Sequence, residues 1–344
     1  MIRALMTCLL FALPGLACAQ EATASFGDGD DPMLIRSTTD IAIIAPVLER
    51  FADQNPDLRI TYEQWGSNAL FQHSRTVCKN GENPADVVFS SAIQQMVWLV
   101  NAACGHRYRS PRTEALPAAR RWRDELWGIT TEPAVIAYNK SLLSDQDVPR
   151  NRFALLDAMR TQPDLLRGRV ATYDIAASGL GYLFAYGDSL EATTFGSLIE
   201  GFARIDAVAT CCSAEIIRDV AEGRFLIAYN VLGSYVANAD APGVGVILPE
   251  DYTLVLSRAF MIPAQAENKD AATGFLDFLL SPEAQTLLAA SGLVAPMDAA
   301  ETGLNPSARR FIALSPALLV ARDQNRRAEL FKLWNDAFNV ETAR

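Results

Sequence analysis

The chain has 344 residues, of which 50% are apolar and 20% charged, with a formal net charge of −10. That length and apolar content suit two domains of ordinary size, each with its own core, and exclude a largely disordered chain. The acidic balance, without any run of five basic residues, excludes a surface that tracks nucleic-acid phosphates.

The first nineteen residues read as an export signal. Arg3 supplies the positive start, Ala4–Leu16 the short apolar run, and Ala17-Cys18-Ala19 the small-residue cleavage site, with Gln20 as the mature start. The run is too short and interrupted to span a bilayer. A lipid anchor on Cys18 would call for Leu three residues earlier, where the chain has Gly15. A soluble periplasmic protein is therefore expected, and disulfides become admissible. Cys78 and Cys104 flank one strand–helix unit and form the simplest pair, worth about 3 kcal/mol through the unfolded state. Cys211 and Cys212 are left open as free thiols, as a strained vicinal bond, or as partners of the other two.

Glu21–Pro32, rich in Gly and Asp, is expected as a loose lead-in. Met33–Arg36 reads as a strand that ends in Ser37-Thr38-Thr39-Asp40. A helix follows with apolar residues at Ile43, Ile44, Val47, Leu48 and Phe51. Leu58–Gln64 is a second strand, and Trp65-Gly66-Ser67-Asn68 turns into a helix over Ala69–Cys78. Ala85–Phe89 is a third strand, ending in Ser90-Ser91 before the helix Ala92–Val100. Strand, hydroxyl-rich turn and helix recur, which predicts an α/β fold with parallel pairing. In such sheets the ligand crevice lies at the carboxyl ends of the strands, where helices begin with unpaired amides.

Gly128–Asn139 is a single extended segment, polar at Thr130-Thr131-Glu132 and apolar over Ala134–Tyr138. Pro133 lacks an amide hydrogen, so the segment does not suit a fully paired central strand. It is expected to leave one lobe and enter another, with a ligand cleft beside its polar half. Lys140–Val148 is a polar helix or loop, Phe153–Met159 a helix and Gly168–Tyr173 a strand. The small-residue turn Asp174–Gly181 leads into a helix over Tyr182–Gly187, and another helix spans Phe195–Ile205. Thr210-Cys211-Cys212-Ser213 caps a helix through Glu222, and Phe225–Tyr229 is a strand leading to Asn230. Val244–Leu248 and Tyr252–Leu256 bracket the return crossing. Phe260–Pro263 is a short strand, and helices are expected at Ala271–Leu280, Pro282–Ala290, Ser307–Leu314 and Arg327–Phe338.

Ala259–Leu293 resembles the late segment of extracellular solute-binding proteins of ABC transporters. The most specific part is Phe275–Leu280 followed by Ser281-Pro282-Glu283 and Gln285. Leu165–Tyr182 is similar to that family's second-lobe strand, Ser-Gly turn and helix, and Glu222-Gly223 before Phe225–Tyr229 matches its Gly-bearing turn. The likeness covers essentially the whole mature chain and is nearest to the ferric-ion and sugar-phosphate branch. It implies a type 2 periplasmic-binding-protein fold: two lobes, each a mostly parallel sheet with helices on both faces, joined by two crossing strands. Lobe 1 would comprise 20–132 and 252–344, and lobe 2 would comprise 133–251.

The resemblance implies a monomeric binding protein without cofactor that takes a small ligand by hinge closure. It would deliver that ligand to an ABC permease, or hand it to the periplasmic domain of a sensor kinase. Candidate ligand contacts are Ser37, Thr38 and Thr39 in the first loop, Ser67 in the second, and Ser90 and Ser91 in the third. Thr131 and Glu132 lie at the crossing, Glu132 suiting a cationic part of the ligand. The second lobe would offer Ser178 and Gly179 at the family's anion-contact turn, Cys212 and Ser213 at a facing helix, and Asn230 at a strand end. Trp65 suits stacking on the ligand. Iron binders of the family carry adjacent tyrosines where this chain has Val231 and Leu232, and His73 and His106 lack a metal spacing. A small phosphorylated or carboxylated anion is therefore expected ahead of ferric ion, which stays as the alternative, and Cys211-Cys212 adds a lesser one, a soft thiophilic ion such as a metalloid. An enzyme is not expected, since there is no P-loop, nucleophile elbow, zinc motif or dinucleotide fingerprint.

Overall fold

The computed structural model describes residues 20–239, 241–296 and 305–338. Residues 1–19, read above as an export signal and holding Cys8 and Cys18, lie outside them. Among the described residues none of the helices is long and apolar enough to cross a membrane.

The first half supplies β1 (Gln20–Phe26), β2 (Asp31–Ser37), α1 (Ile41–Gln54), β3 (Leu58–Trp65), α2 (Ser67–Asn80), β4 (Val87–Ser90), α3 (Ile93–Asn101), α4 (Pro111–Glu114), β5 (Arg121–Trp122) and β6 (Leu126–Gly128). The middle supplies β7 (Glu132–Asn139), α5 (Arg152–Thr161), α6 (Pro163–Leu166), β8 (Val170–Tyr173), α7 (Gly179–Glu191), α8 (Phe195–Arg204), β9 (Val208–Thr210), α9 (Ser213–Ala221), β10 (Ile227–Leu232), α10 (Gly233–Asn238), β11 (Val244–Ile247) and β12 (Thr253–Leu256). The last part supplies β13 (Ala259–Met261), α11 (Lys269–Leu279), α12 (Pro282–Ala290), β14 (Arg309–Phe311) and α13 (Gln324–Phe338).

These strands form two seven-stranded sheets, ordered β1-β3-β2-β4-β13-β6-β5 and β14-β12-β7-β10-β8-β9, with β11 on β7. Each is mixed. Parallel pairs arise where a helix returns the chain, as in β2–β3, β2–β4, β8–β10 and β8–β9. Antiparallel pairs arise at the edge strand β1 and where the crossing strands run back. The stripe Ile43, Ile44, Val47, Leu48 and Phe51 buries α1, as its helical spacing requires. Phe51 meets Phe275 and Phe278 of α11 at 4.9 and 5.2 Å between ring centroids.

The chain passes between the sheets twice, and the two passages touch. Ile129–Thr131 carries it from β6 to β7, and Ser257-Arg258 brings it back from β12 to β13. Ile129 N donates to Arg258 O at 2.9 Å, and Arg258 N donates to Thr130 Oγ1 at 2.8 Å. Pro133, which lacks a ladder donor, sits opposite Val255 in the two-residue pairing of β7 with β12.

The sheets are mixed rather than mostly parallel, because the crossing and edge strands run back, and the return crossing lies at Ser257-Arg258 rather than between Val244–Leu248 and Tyr252–Leu256, since β11 and β12 both pair with β7 in the second sheet. Two segments also depart from expectation in their secondary structure. Gln20–Phe26 is an edge strand paired antiparallel with β3, not a loose lead-in; its half-buried Ala24 and Phe26 alternate with exposed Thr23 and Ser25. Ser307–Leu314 is not a helix. A single 3-10 turn at Pro306–Ala308 leads into β14, which adds parallel to the open edge of β12. Short apolar runs do not distinguish strand from helix, and here a free sheet edge decides. The last helix, α13, packs on the second-sheet side. Phe338 lies 5.6 Å from Phe202 of α8, and Phe331 stacks 5.6 Å from Tyr182 of α7.

Cys78 and Cys104 are bonded to each other. Cys211 and Cys212 form a vicinal disulfide, which selects one of the alternatives left open above.

Candidate functional site

A cavity of about 660 Å³ lies between the two sheets, lined by residues from both sides. From the first side come Glu21 on β1, Thr38 and Asp40 after β2, Gln64, Trp65, Gly66 and Ser67 between β3 and α2, and Ser91 after β4. From the second come Tyr173, Ala177, Ser178 and Leu180 around the start of α7, Cys211 to Glu215 and Arg218 at α9, and Tyr235 on α10. These are strand ends and helix beginnings, because helices that follow parallel strands all start at the same sheet edge.

Direct contacts close the rim. Gly179 N donates to Ser67 Oγ at 2.9 Å, and Gln94 Nε2 donates to Gly179 O at 2.7 Å. Asn68 Nδ2 reaches Ala176 O and Ala177 O at 2.8 and 2.9 Å. Across the cavity Tyr235 Oη donates to Asp40 Oδ1 at 2.8 Å. A Cβ on Gly179 would stand 3.1 Å from Ala92 Cβ and displace the Gln95 amide, so the close approach favours glycine.

Helix starts differ in what remains free. At α7, Ser178 Oγ takes Gly181 N and Ser67 takes Gly179 N, so these amides are occupied. At α1, the Ile41 amide is taken by Gln64 Oε1. α2 and α9 follow the N-cap residues Gly66 and Cys212, neither of which makes a side-chain capping bond, and they open from opposite walls of the cavity. Uncapped starts present polar hydrogens and a positive dipole end to whatever occupies the space. Side-chain charge in the wall runs the other way: Glu21, Asp40 and Glu215 against Arg218, whose guanidinium is shared with Asp219 at 3.4 Å and Glu222 at 4.0 Å.

Buried polar groups support the floor. Glu132 and Arg258, both fully buried, pair at 2.8 Å. Glu132 also accepts from Thr130 at 2.7 Å and Ser234 at 2.6 Å, while Arg258 reaches Thr39 Oγ1 at 3.2 Å. Burial opposes the Arg258 charge, but Glu132 and Tyr235 outweigh it and hold the guanidinium pKa above its ordinary value. Burial pushes the Tyr173 phenol up to about 12, and it shares a hydrogen bond with Ser213. The Tyr235 phenol is raised well above its usual range by burial, with Asp40 adding to it. Both phenols are neutral at physiological pH.

Of the residues expected from the sequence, Thr38, Ser67, Ser91, Ser178, Cys212 and Ser213 line the cavity, as does Trp65. Others are brought elsewhere. Ser37 and Ser90 are buried and accept from Thr39 N and Ala92 N. Thr39 is buried against Arg258 and Tyr62. Thr131 bonds to Leu293 and Ala295 through its backbone. Glu132 faces Arg258 rather than a ligand's cation, and Gly179 belongs to the closing rim. Asn230, at φ 56°, lies within the second-sheet side, 2.6 Å from Asp188, which also binds Arg152, Tyr229 and Tyr252. Sequence reasoning missed Glu21, Asp40, Tyr173, Glu215, Arg218 and Tyr235 in the wall. Asp40 carried a signal, being the last residue of a polar turn before a helix.

A family model described as bacterial extracellular solute-binding protein matches residues 47–308. The chain belongs to the bacterial extracellular solute-binding proteins. As a solute-binding protein it is a binder, not an enzyme. The substrate binding protein of the ABC transporter from Agrobacterium tumefaciens is 31% identical, with a TM-score of 0.85 over 92% of this chain and 98% of that one. The apo ferric ion-binding protein A of Pasteurella haemolytica is 19% identical, with a TM-score of 0.69 over 89% of this chain and 98% of its own. The periplasmic binding protein AfuA from Actinobacillus pleuropneumoniae, solved with exogenous fructose-6-phosphate, is 16% identical, with a TM-score of 0.69 over 91% and 100%. The last two share with this solute-binding protein the type 2 two-lobed fold alone. No curated protein sequence matches the chain.

Proposed function

We propose that this chain is the substrate-binding component of an ABC importer, closing two lobes on a small polar solute that carries an anionic group. The observation that supports this most is the pair of uncapped helix starts, α2 and α9, facing one cavity from opposite sides. A phosphoryl or carboxylate group between them would accept backbone hydrogen bonds from both lobes at once. Thr38, Ser67, Ser91, Ser178 and Ser213 would supply hydroxyls around it. The remainder of the solute would meet Asp40, Glu21 and Glu215 with hydroxyl or amine donors. The transporter role rests on the 31% identical relative named for it.

In this reading the expected bounds shift, since β12 and β14 join the second sheet: lobe 1 comprises 20–131 and 257–296, and lobe 2 comprises 132–256 and 305–338, hinged at the adjacent passages beside Arg258. Residues 1–19 direct export to the periplasm, and the closed monomer docks on a permease. Ferric ion fits less well, because the places of the paired tyrosines hold Val231 and Leu232, both fully buried. Among the described residues, no three of His, Cys, Asp and Glu converge as metal ligands.

A thermal-shift panel of inorganic phosphate, sugar phosphates, phosphonates, carboxylates and ferric citrate tests this. A phosphoryl or carboxylate compound is expected to raise the melting temperature by mass action. A shift with ferric citrate but not with citrate would overturn the anion reading, and no shift with any compound would overturn the binding site itself.

A further inference from the structure

The vicinal disulfide invites a question that its partner disulfide does not. Cys78–Cys104 closes a loop across 26 positions, and Cys104 is buried in the core, so stability explains it. Cys211–Cys212 closes no loop, because its sequence separation is 1. Chain-entropy stabilisation grows with loop length, so this bond contributes least among possible disulfides. Its position is also different. Cys211 is half-buried and Cys212 exposed, and both line the cavity between the lobes. Cys212 is the N-cap of the nine-residue helix α9 and makes no side-chain capping bond.

We propose that Cys211–Cys212 is a redox-modification site in the cleft wall, opened by small dithiol reductants, and that the reduced pair binds trivalent thiophilic compounds such as organoarsenicals. In the first step a reductant thiolate attacks one sulfur, and the second reductant thiol displaces the mixed disulfide. One dithiol is oxidised to its cyclic disulfide while Cys211 and Cys212 gain two electrons and two protons. In the second step an arsenic(III) oxide condenses with the two thiols, forming two As–S bonds and releasing water. The site favours both steps. The cavity admits a small reductant, and a thiolate on Cys212 would accept from the free amides at the α9 start, whose dipole end lowers thiol pKa. Two adjacent thiols on one wall chelate a soft centre without any rearrangement of the lobes. The proposal does not depend on the identity of the transported solute.

The test uses the folded, exported protein and phenylarsine oxide as probe. Native protein is treated with graded dithiothreitol, freed of reductant by anaerobic gel filtration, then treated with phenylarsine oxide and analysed by intact mass and non-reducing peptide mapping. One arsenical per chain is expected, on the peptide that holds Cys211 and Cys212, at a reductant level that leaves Cys78–Cys104 bonded. Without reductant no adduct is expected. The double variant Cys211→Ser/Cys212→Ser should take no arsenical, and its melting temperature should stay within about 1 °C of the parent, since little loop entropy is lost. Three results would overturn the proposal: free thiols at 211 and 212 before reduction, opening of Cys78–Cys104 first, or a reduced pair that takes no arsenical in the folded protein.

Discussion

Replacing Glu132 by Gln tests the crossing between the lobes. The carboxylate accepts four hydrogen bonds: from Thr130, from Arg258 Nε and Nη2, and from Ser234. A glutamine oxygen keeps the bonds from Thr130 and Arg258 Nε. Its amide group donates, so it turns toward Ser234, whose hydroxyl can rotate to accept, and toward Arg258 Nη2, which cannot. One charge-assisted bond is lost and a fully buried guanidinium stays behind without a counter-charge. Breaking one side of such a pair costs about 3–5 kcal/mol. At roughly 2 °C per kcal/mol for a chain of this size, the melting temperature should drop by about 6–10 °C. Glu132→Leu combined with Arg258→Met removes both charges, and the cycle should be sub-additive by at least about 1.5 kcal/mol. Thermal and guanidinium melts of the ligand-free protein measure both. If Glu132→Gln melts within about 1 °C of the parent, or the cycle is additive, water reaches the pair and the hinge is not built as described.

Further outcomes are expected. Ala214→Asp, at the exposed second position of α9 in the cavity wall, should leave the ligand-free melting temperature unchanged or higher. It should weaken any phosphoryl or carboxylate ligand at least tenfold in calorimetry. Gly179→Val should hold the lobes apart, giving a larger radius of gyration in scattering with ligand present, because a side chain there meets Ala92 and Gln95. Cys78→Ser/Cys104→Ser should cost about 3 kcal/mol in guanidinium unfolding. Burial and Arg36 lower the pKa of His73, so the unfolded chain binds the extra proton as pH falls below about 6.5. Stability should therefore decline below that pH, and His73→Gln should flatten the melting-temperature profile between pH 5 and 7.

The strand–turn–helix units were legible because hydroxyl-rich turns and helical apolar spacing are local properties, and the Cys78–Cys104 pair because it brackets one such unit. The wall was only partly legible. Thr38, Ser91 and Ser213 sit where a local rule places them, at turns that open helices. Glu21 reaches the cavity only because β1 pairs with β3 and starts beside Gly66, which a Gly- and Asp-rich segment does not announce. Glu132 reads as a free carboxylate until Arg258, 126 positions later, is folded against it. Ser67 and Gly179 carry the same hydroxyl and glycine chemistry whether they hold a ligand or each other, and only the closed arrangement separates the two. Ser307–Leu314 was misread for a related reason: the open edge of β12 is remote in sequence.

The extremities of the described chain are anchored to different halves. Gln20 belongs to the edge strand of one sheet, and Phe338 is pinned by aromatic rings on the outer helices of the other. Any rotation about the two touching passages therefore changes the separation of these positions. A donor dye at the exposed Ser25 of that edge strand and an acceptor beside Phe338 would turn the protein into a ratiometric optical sensor of its own occupancy, with neither label in the wall of the binding chamber.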